Sequence, residues 1–342
     1  MQRLYGVPDG FLEYPCAVEI TEEQSPNHPG IRGSGLSYGI KPLVRLRALS
    51  PHDKKIFIRF LNLGRHQLAV YAFENIYIWR GLYKISWTVA EDCLCVFFQD
   101  NLGCFLYLPP LGKNITPQLL ERVFATLDKF NAQPEVSRIE NIEEGQLALY
   151  QGLGLDCRIK SYDYLYLGRD LVGLRGNKYK SQRAAYNYFR KNYPFVYLPY
   201  SQKDLSACLG LYREWQAARK LINQEKIYQA MLEDSRNSLE VALTNYRHLN
   251  LGGRIVKIHG KIKAFSFGYR INPDTFCILY EVADLKIKGL AQFIFQRFSA
   301  DLSAFKYINI MDDSGLENLK RVKLSYHPLK LIPSYIAKRC LA

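Results

Sequence analysis

Apolar and polar positions along this chain fall into two alternating periods. At 85–90, 94–99 and 103–108 the apolar residues have the run and spacing of strands, and 100–103 carries turn chemistry between the last two. Pro109-Pro110-Leu111-Gly112 closes that segment. Thr116-Pro117 then supplies an N-cap and a first-turn proline, and Leu119, Leu120, Val123, Phe124, Leu127 and Phe130 recur at the helical period. A short strand at 138–142, a short helix at 143–151 and a long strand at 157–167 follow. The pattern next predicts a basic helix over 169–192, a strand at 195–198, and helices at 203–220, 224–234 and 239–247. Strands at 254–259, 263–271 and 275–283 come in quick succession, turning at Gly260-Lys261 and Asn272-Pro273-Asp274. A helix at 289–303, a strand at 306–311, a helix at 315–323 and a strand at 330–337 end the series. Residues 1–40, rich in Gly, Pro and Ser, show no period and predict a loose arm.

This order predicts an α+β class: mixed central sheets flanked by helices. Three antiparallel strands, a helix opened by glycine, a strand, a helix and a last strand is one arrangement of an N-acetyltransferase-like (acyl-CoA N-acyltransferase) domain. In that fold the strand before the glycine-opened helix splays from the next one, and the acyl donor enters the split. Here the turn reads Lys286-Ile287-Lys288-Gly289-Leu290-Ala291. Small residues let backbone N–H groups approach a phosphate, and the helix dipole favours the anion. Lys286, Lys288, Gly289 and Ala291 are therefore the candidate phosphate-binding residues.

Composition adds limits. A length of 342 residues suggests about two domains, and 48% hydrophobic with 23% charged residues is ordinary for a globular protein. There is no apolar run of 18 residues and no signal-peptide-like N-terminus, so no membrane-spanning segment is expected. The distribution of charge is more telling than its sum. Residues 1–160 hold 17 Lys and Arg against 17 Asp and Glu, so the whole +14 excess lies in 161–342. A neutral half joined to a basic half implies an anionic partner for the second: RNA, a phosphate-bearing donor or an anionic lipid surface. The eight cysteines contain no C-x-x-C spacing; buried free thiols are expected and no metal site.

Several ordered motifs carry a resemblance over roughly 50–340. They include Asp163-Tyr164-Leu165-Tyr166, then Leu171-Val172-Gly173-Leu174-Arg175-Gly176-Asn177-Lys178-Tyr179, with Arg183 and Asn187-Tyr188-Phe189. Phe73 to Arg80, Leu108 to Gly112, Lys263 to Gly268 and Tyr280 to Asp284 agree with it. Asn309 to Leu316 followed by Lys323-Leu324-Ser325-Tyr326-His327-Pro328 is the most specific stretch. Together they resemble the DUF2156 family, related to the C-terminal domain of phosphatidylglycerol lysyltransferases. The chain departs from that pattern at Gln182, Val282, Ile310 and Met311. The resemblance implies tandem N-acetyltransferase-like domains after the arm: a degenerate one over 41–160 and a site-bearing one over 161–342. It implies transfer of an aminoacyl group from aminoacyl-tRNA to an amine or hydroxyl acceptor such as a phospholipid, with no tightly bound cofactor. It also implies a cytoplasmic protein, peripheral to the inner face of the membrane when it meets lipid.

Such a transfer starts from an activated ester, so the enzyme must position it, stabilise an oxyanion and handle one proton. Glu281 and Asp284 end an otherwise apolar strand, where a carboxylate can act as base or hold an amine. Asp312 and Asp313 end another, where they bind an amine or cap the next helix. The resemblance adds Lys323 and Tyr326 as phosphate or carbonyl binder and proton relay, and Asn309 beside them. Lys178, Tyr179, Arg183 and Asn187 interleave basic, polar and aromatic groups as an RNA-contacting face does. Glu281, Asp313, Lys323 and Tyr326 are thus the catalytic candidates, and the rest bind substrate. Two other readings stay open: an acyl-CoA-dependent N-acyltransferase, and a catalytically inactive protein that binds RNA or an anionic surface. An open strand split lined by free amides favours the first; a split filled by side chains favours the tRNA donor.

Overall fold

A computed structural model describes residues 40–43 and 45–340; the arm expected over 1–40 falls, but for its last residue, outside them. The strands are β1 (Arg47–Ala48), β2 (Lys84–Ala90), β3 (Cys93–Gln99), β4 (Cys104–Leu106), β5 (Arg138–Glu143), β6 (Leu155–Leu167), β7 (Val196–Pro199), β8 (Gly252–Ile258), β9 (Lys261–Asn272), β10 (Thr275–Ala283), β11 (Tyr307–Asn309) and β12 (Lys330–Arg339). The helices are α1 (Lys54–Leu61), α2 (Phe73–Ile78), α3 (Pro117–Leu127), α4 (Leu147–Gly152), α5 (Gly168–Gly173), α6 (Lys180–Asn192), α7 (Leu205–Ile222), α8 (Lys226–Thr244), α9 (Tyr246–Leu249), α10 (Leu290–Asp301) and α11 (Glu317–Ser325).

All twelve strands join one sheet in the order β1-β2-β3-β4-β5-β12-β6-β11-β10-β9-β8-β7. Most neighbours are antiparallel; β4 with β5 and β10 with β11 are parallel. Strand β12 runs against β5 on one side and β6 on the other, so the last strand joins the early strands to the later ones. The run CLCVFFQ of β3 has no polar face and is buried on both sides, as is all of β10. Helices α2, α7 and α8 pack on one face with Phe265, Phe267, Leu279 and Val282. Helix α10 covers the other face, burying Phe293, Phe295 and Phe298, at roughly 1.5–3 kcal/mol for each such side chain.

Three elements differ from the sequence pattern. The basic helix expected over 169–192 is two helices, α5 and α6, parted at Leu174 (φ 44°) and Gly176 (φ 87°). The Arg183 guanidinium holds that break by donating to the carbonyls of Leu174 and Gly176. The helices expected at 224–234 and 239–247 are largely one, α8, followed by the single turn α9. Ser238, in the polar run between them, is satisfied inside the fold: its Oγ lies 3.0 Å from Ser235 O and 2.6 Å from Tyr280 Oη. The strand expected at 306–311 stops at Asn309, because Met311 takes φ 62° and turns the chain.

Candidate functional site

Strands β10 and β11 run together for three pairs, Thr275 with Tyr307 to Cys277 with Asn309, and then part. A register shift between Ile278 and Tyr280 coincides with the parting. Such a bulge reverses the side-chain alternation of a strand. Tyr280 and Val282 accordingly pack toward α7 and α8, and Ala283 with α10. Glu281, between Tyr280 and Val282, is thereby turned to the α10 side. Just past the parting, Ile310 and Met311 are both buried: Ile310 belongs to the apolar cluster that holds Ile278, Phe295 and Tyr326, and Met311 to the larger one that holds Leu279 and Tyr280.

Past the split lies a cleft of about 1940 Å³. Its wall is α6 (Gln182, Ala185, Tyr188), the end of α7 with the 222–225 connection, the turn before α10, and α11 (Asn318, Arg321) with Tyr326 just after it. Lys286, Lys288, Gly289 and Gln292 line it where α10 begins, and the first amides of a helix have no partner within it. Gly289 is required there: its φ is 81°, and a Cβ would sit 2.1 Å from the carbonyl oxygen of Ala185. Lys288 Nζ lies 4.6 Å from the Tyr188 ring centroid, a cation over an aromatic face. Arg219, Arg321, Lys286 and Lys288 oppose one acid, Glu225, among the lining residues, so the cleft favours anions.

Glu281 is 4% exposed, and its Oε2 has no hydrogen-bond partner among the described residues. Burial without a partner pushes its carboxyl well above the usual range. Tyr326, itself 5% exposed, lies close enough that burial first, and then the Glu281 charge, raise its phenol. The Tyr326 ring meets Phe295 edge to face at 4.8 Å, and its carbonyl accepts the Tyr179 hydroxyl at 3.1 Å. Tyr326 lines the cleft, and Glu281, which does not, is near enough for its charge to act on the Tyr326 phenol.

Lys323 occupies another place. It is fully buried, and Nζ donates to the carbonyls of Ile310 (2.6 Å), Met311 (3.2 Å) and Asp312. It fixes the turn after β11 and does not line the cleft. Around it lie Asn309, Asp312, Asp313 and Asp163. Asn309 Nδ2 donates to Asp163 Oδ2 at 2.8 Å and to Gln67 O at 3.0 Å. Asp312 accepts from Ser314 N at 3.1 Å. Asp313 accepts the Tyr164 hydroxyl and, at 3.0 Å, Gly315 N, an Asx turn; it does not cap α11, whose N-cap is Leu316 with no side-chain cap. Burial pushes Asp163 up to about 6, against the hydrogen bonds from Ala69 N and Asn309 that lower it. The motif Asp163-Tyr164 was visible in the sequence; that its carboxylate ties residue 69 to residue 309 was not.

The remaining candidates are dispersed. Asp284 pairs with Lys263 at 2.7 Å and accepts Lys286 N at 3.0 Å. Burial raises its carboxyl, but those bonds outweigh it and the net shift is downward. Ala291 is buried in the α10 packing. Lys178 is exposed over the Tyr179 ring, and Tyr179 is buried. Arg183 is engaged at the α5–α6 break, and Asn187 is exposed outside the cleft lining. Of the sequence candidates, then, Lys286, Lys288, Gly289 and Tyr326 line the cleft, with Glu281 near Tyr326. Tyr188, one of the tyrosines interleaved with the basic residues of 178–191, lines it too, while Gln182, Arg219, Gln292, Asn318 and Arg321 line it without having been singled out as binding residues. Their signal is only the basic, amphipathic character of their helices.

The family profile described as phosphatidylglycerol lysyltransferase, C-terminal, matches residues 63–338. Three solved structures are similar. A conserved protein of unknown function from Bacteroides thetaiotaomicron shares 27% identity, with a TM-score of 0.78 over 86% of this chain and 99% of that one. The C-terminal DUF2156 domain of an inferred lysylphosphatidylglycerol synthetase from Agrobacterium fabrum shares 15% identity, TM-score 0.60, over 84% and 93%. The L-PGS structure from Bacillus licheniformis shares 17%, TM-score 0.56, over 84% and 92%. No curated protein matches the chain. No helix among the described residues is long and apolar enough to cross a membrane.

Proposed function

The chain belongs to the phosphatidylglycerol lysyltransferase C-terminal family, and from that premise we propose that it is an aminoacyltransferase drawing on aminoacyl-tRNA. What supports this reading is the wide, cationic cleft. On this reading the apolar Ile310 and Met311, buried just past the parting of β10 and β11, take the room that a slender acyl carrier would need there. The approach left to a donor is the wide cleft, larger than the roughly 300–1,000 Å³ of an ordinary small-molecule pocket. Its cationic rim suits the 3′ end of an RNA, whose phosphates meet Lys286, Lys288 and Arg321 and whose terminal base can stack on Tyr188.

In the transfer, an acceptor hydroxyl or amine attacks the ester carbon, the bond from that carbon to the terminal ribose oxygen breaks, and one proton moves from acceptor to ribose oxygen. Of Tyr326 and Glu281, Tyr326 is the one that lines the cleft, so it carries that proton, and the nearby Glu281 sets its affinity. Gly289 and Gln292, where α10 opens, line the same space, and a helix N-terminus there suits either a phosphate or the developing oxyanion. The acceptor that fits this reading is a phospholipid hydroxyl.

The test is to incubate the full chain with tRNA charged with labelled amino acids and with phosphatidylglycerol vesicles, then resolve the lipids. The expected result is one labelled lipid, lost in Tyr326→Phe. Labelled product from acyl-CoA, with none from any charged tRNA, refutes the reading in favour of the N-acyltransferase. Failure of both donors refutes it in favour of a binding protein.

A further inference from the structure

Helices α7 and α8 meet in a hairpin whose tip is apolar and open. Leu221 is 80% exposed, Ile222 73% and Ile227 59%. Among the described residues, Leu102, in a separate turn, is the only other large apolar side chain as exposed as Leu221. Single exposed apolar residues are ordinary, but three within one hairpin tip are not. Asn223, Gln224 and Glu225, between them, line the mouth of the cleft together with Ile222. Cations surround the tip: Lys226 is exposed next to Ile227, and Lys286, Lys288 and Arg321 are exposed along the cleft rim.

We propose that this tip docks on an anionic phospholipid surface. Leu221, Ile222 and Ile227 enter the boundary between headgroups and acyl chains, Lys226 beside them meets the headgroups, and the mouth of the cleft is held near the bilayer with Lys286, Lys288 and Arg321 left to the donor. The occupant follows from the combination. Aliphatic side chains beside lysines suit an anionic membrane interface. An RNA would use the cations and leave the aliphatics in water. A second copy would set one basic rim against another on chains of net charge +14. The inference rests on the cleft being the transfer site and names the source of its acceptor.

The test is flotation of the full chain with vesicles of phosphatidylcholine alone and of phosphatidylcholine mixed with phosphatidylglycerol, at low and raised salt. No tRNA is present and no turnover is read. Binding is expected on the mixed vesicles, weakening with salt. Leu221→Asp and Ile222→Asp should each lower partitioning roughly tenfold or more, since each removes one buried aliphatic and adds a repelled charge. Leu102→Asp should leave it unchanged, and all three sites are too exposed to unfold the chain. Equal partitioning of the aspartate variants and the parent overturns the proposal, as does equal binding to neutral vesicles. Loss of a self-associated species in the same variants, without a change on vesicles, assigns the tip to a second copy instead. In a separate filter-binding assay, loss of tRNA binding by the same variants with vesicle partitioning unchanged overturns the proposal and assigns the tip to RNA. Failure here leaves the transfer reading standing, and a chain that binds vesicles but transfers nothing overturns only that reading.

Discussion

Replacing Asp163 by Asn is expected to stabilise the protein, and more at pH 8 than at pH 5. Asp163 is buried, and its Oδ2 accepts from Ala69 N at 2.7 Å and Asn309 Nδ2 at 2.8 Å. Burial dominates and lifts its pKa from 3.8 to about 6. The folded value lies above the unfolded one, so the fold favours the neutral acid. Its contribution is whole below pH 3.8 and is lost as pH rises through about 6. At 1.36 kcal/mol per unit, a rise of about two units costs about 3 kcal/mol once the group is ionised at pH 8, and about half of that at pH 5. Asparagine keeps an oxygen for both donors and has no charge to bury. With an unfolding entropy of roughly 2.1 cal/mol/K per residue, the gain is about 4 °C in Tm at pH 8 and about 2 °C at pH 5. Thermal melts of the two proteins at both pH values measure it. A variant that melts lower than the parent at both would refute the reasoning: Asp163 would then be an anion held by the Lys323 charge, and desolvation would not be the larger effect.

Three further outcomes follow from the site. Glu281→Gln should raise the melting temperature at neutral pH, because it removes an unpartnered buried carboxyl, while lowering turnover by roughly 10²–10⁴-fold; unchanged turnover would remove Glu281 from the proton path. Gly289→Ala should destabilise by about 2 kcal/mol or more, since its Cβ would meet Ala185 O at a left-handed φ, whereas Gly145→Ala, with nothing within 4 Å, should be silent; equal denaturant midpoints would show that the α10 entry can relax. Lys323→Met should cost about 3 kcal/mol or more by withdrawing the ammonium from the carbonyls of 310–312, read as a lower denaturant midpoint. A midpoint that does not move would mean that water serves those carbonyls as well.

Elements with a continuous apolar run or one apolar stripe were legible from spacing: β3, β10, α3 and α10 fall within a few residues of those expected. Two kinds of feature were not. Breaks and joins set by side-chain hydrogen bonds left no mark in the apolar pattern, as with Arg183 holding the gap between α5 and α6 from within the next helix, or the distant Tyr280 satisfying Ser238 inside α8. The order of strands was also invisible, because nothing in Lys330–Arg339 says that it enters between β5 and β6. The site divided along the same line. The turn at Lys286–Gly289 and the Tyr326 motif could be read as they stood. That Lys323 is turned inward on 310–312, and that Glu281 reaches the α10 side, depended on the bulge in β10 and the left-handed Met311.

The seat of β12 bears on how the molecule is made. About 160 residues separate the end of β6 from the start of β12, yet β6 has β12 as its neighbour along most of its length. At roughly 5–20 residues per second, a ribosome takes on the order of ten seconds or more to synthesise that interval. Throughout it, β5 and β6 each offer an unfilled hydrogen-bonding edge, which is a template for any other strand. The emerging chain therefore has a vulnerable period set by gene order, and damage that stops translation short of the last strand leaves the middle of the sheet open.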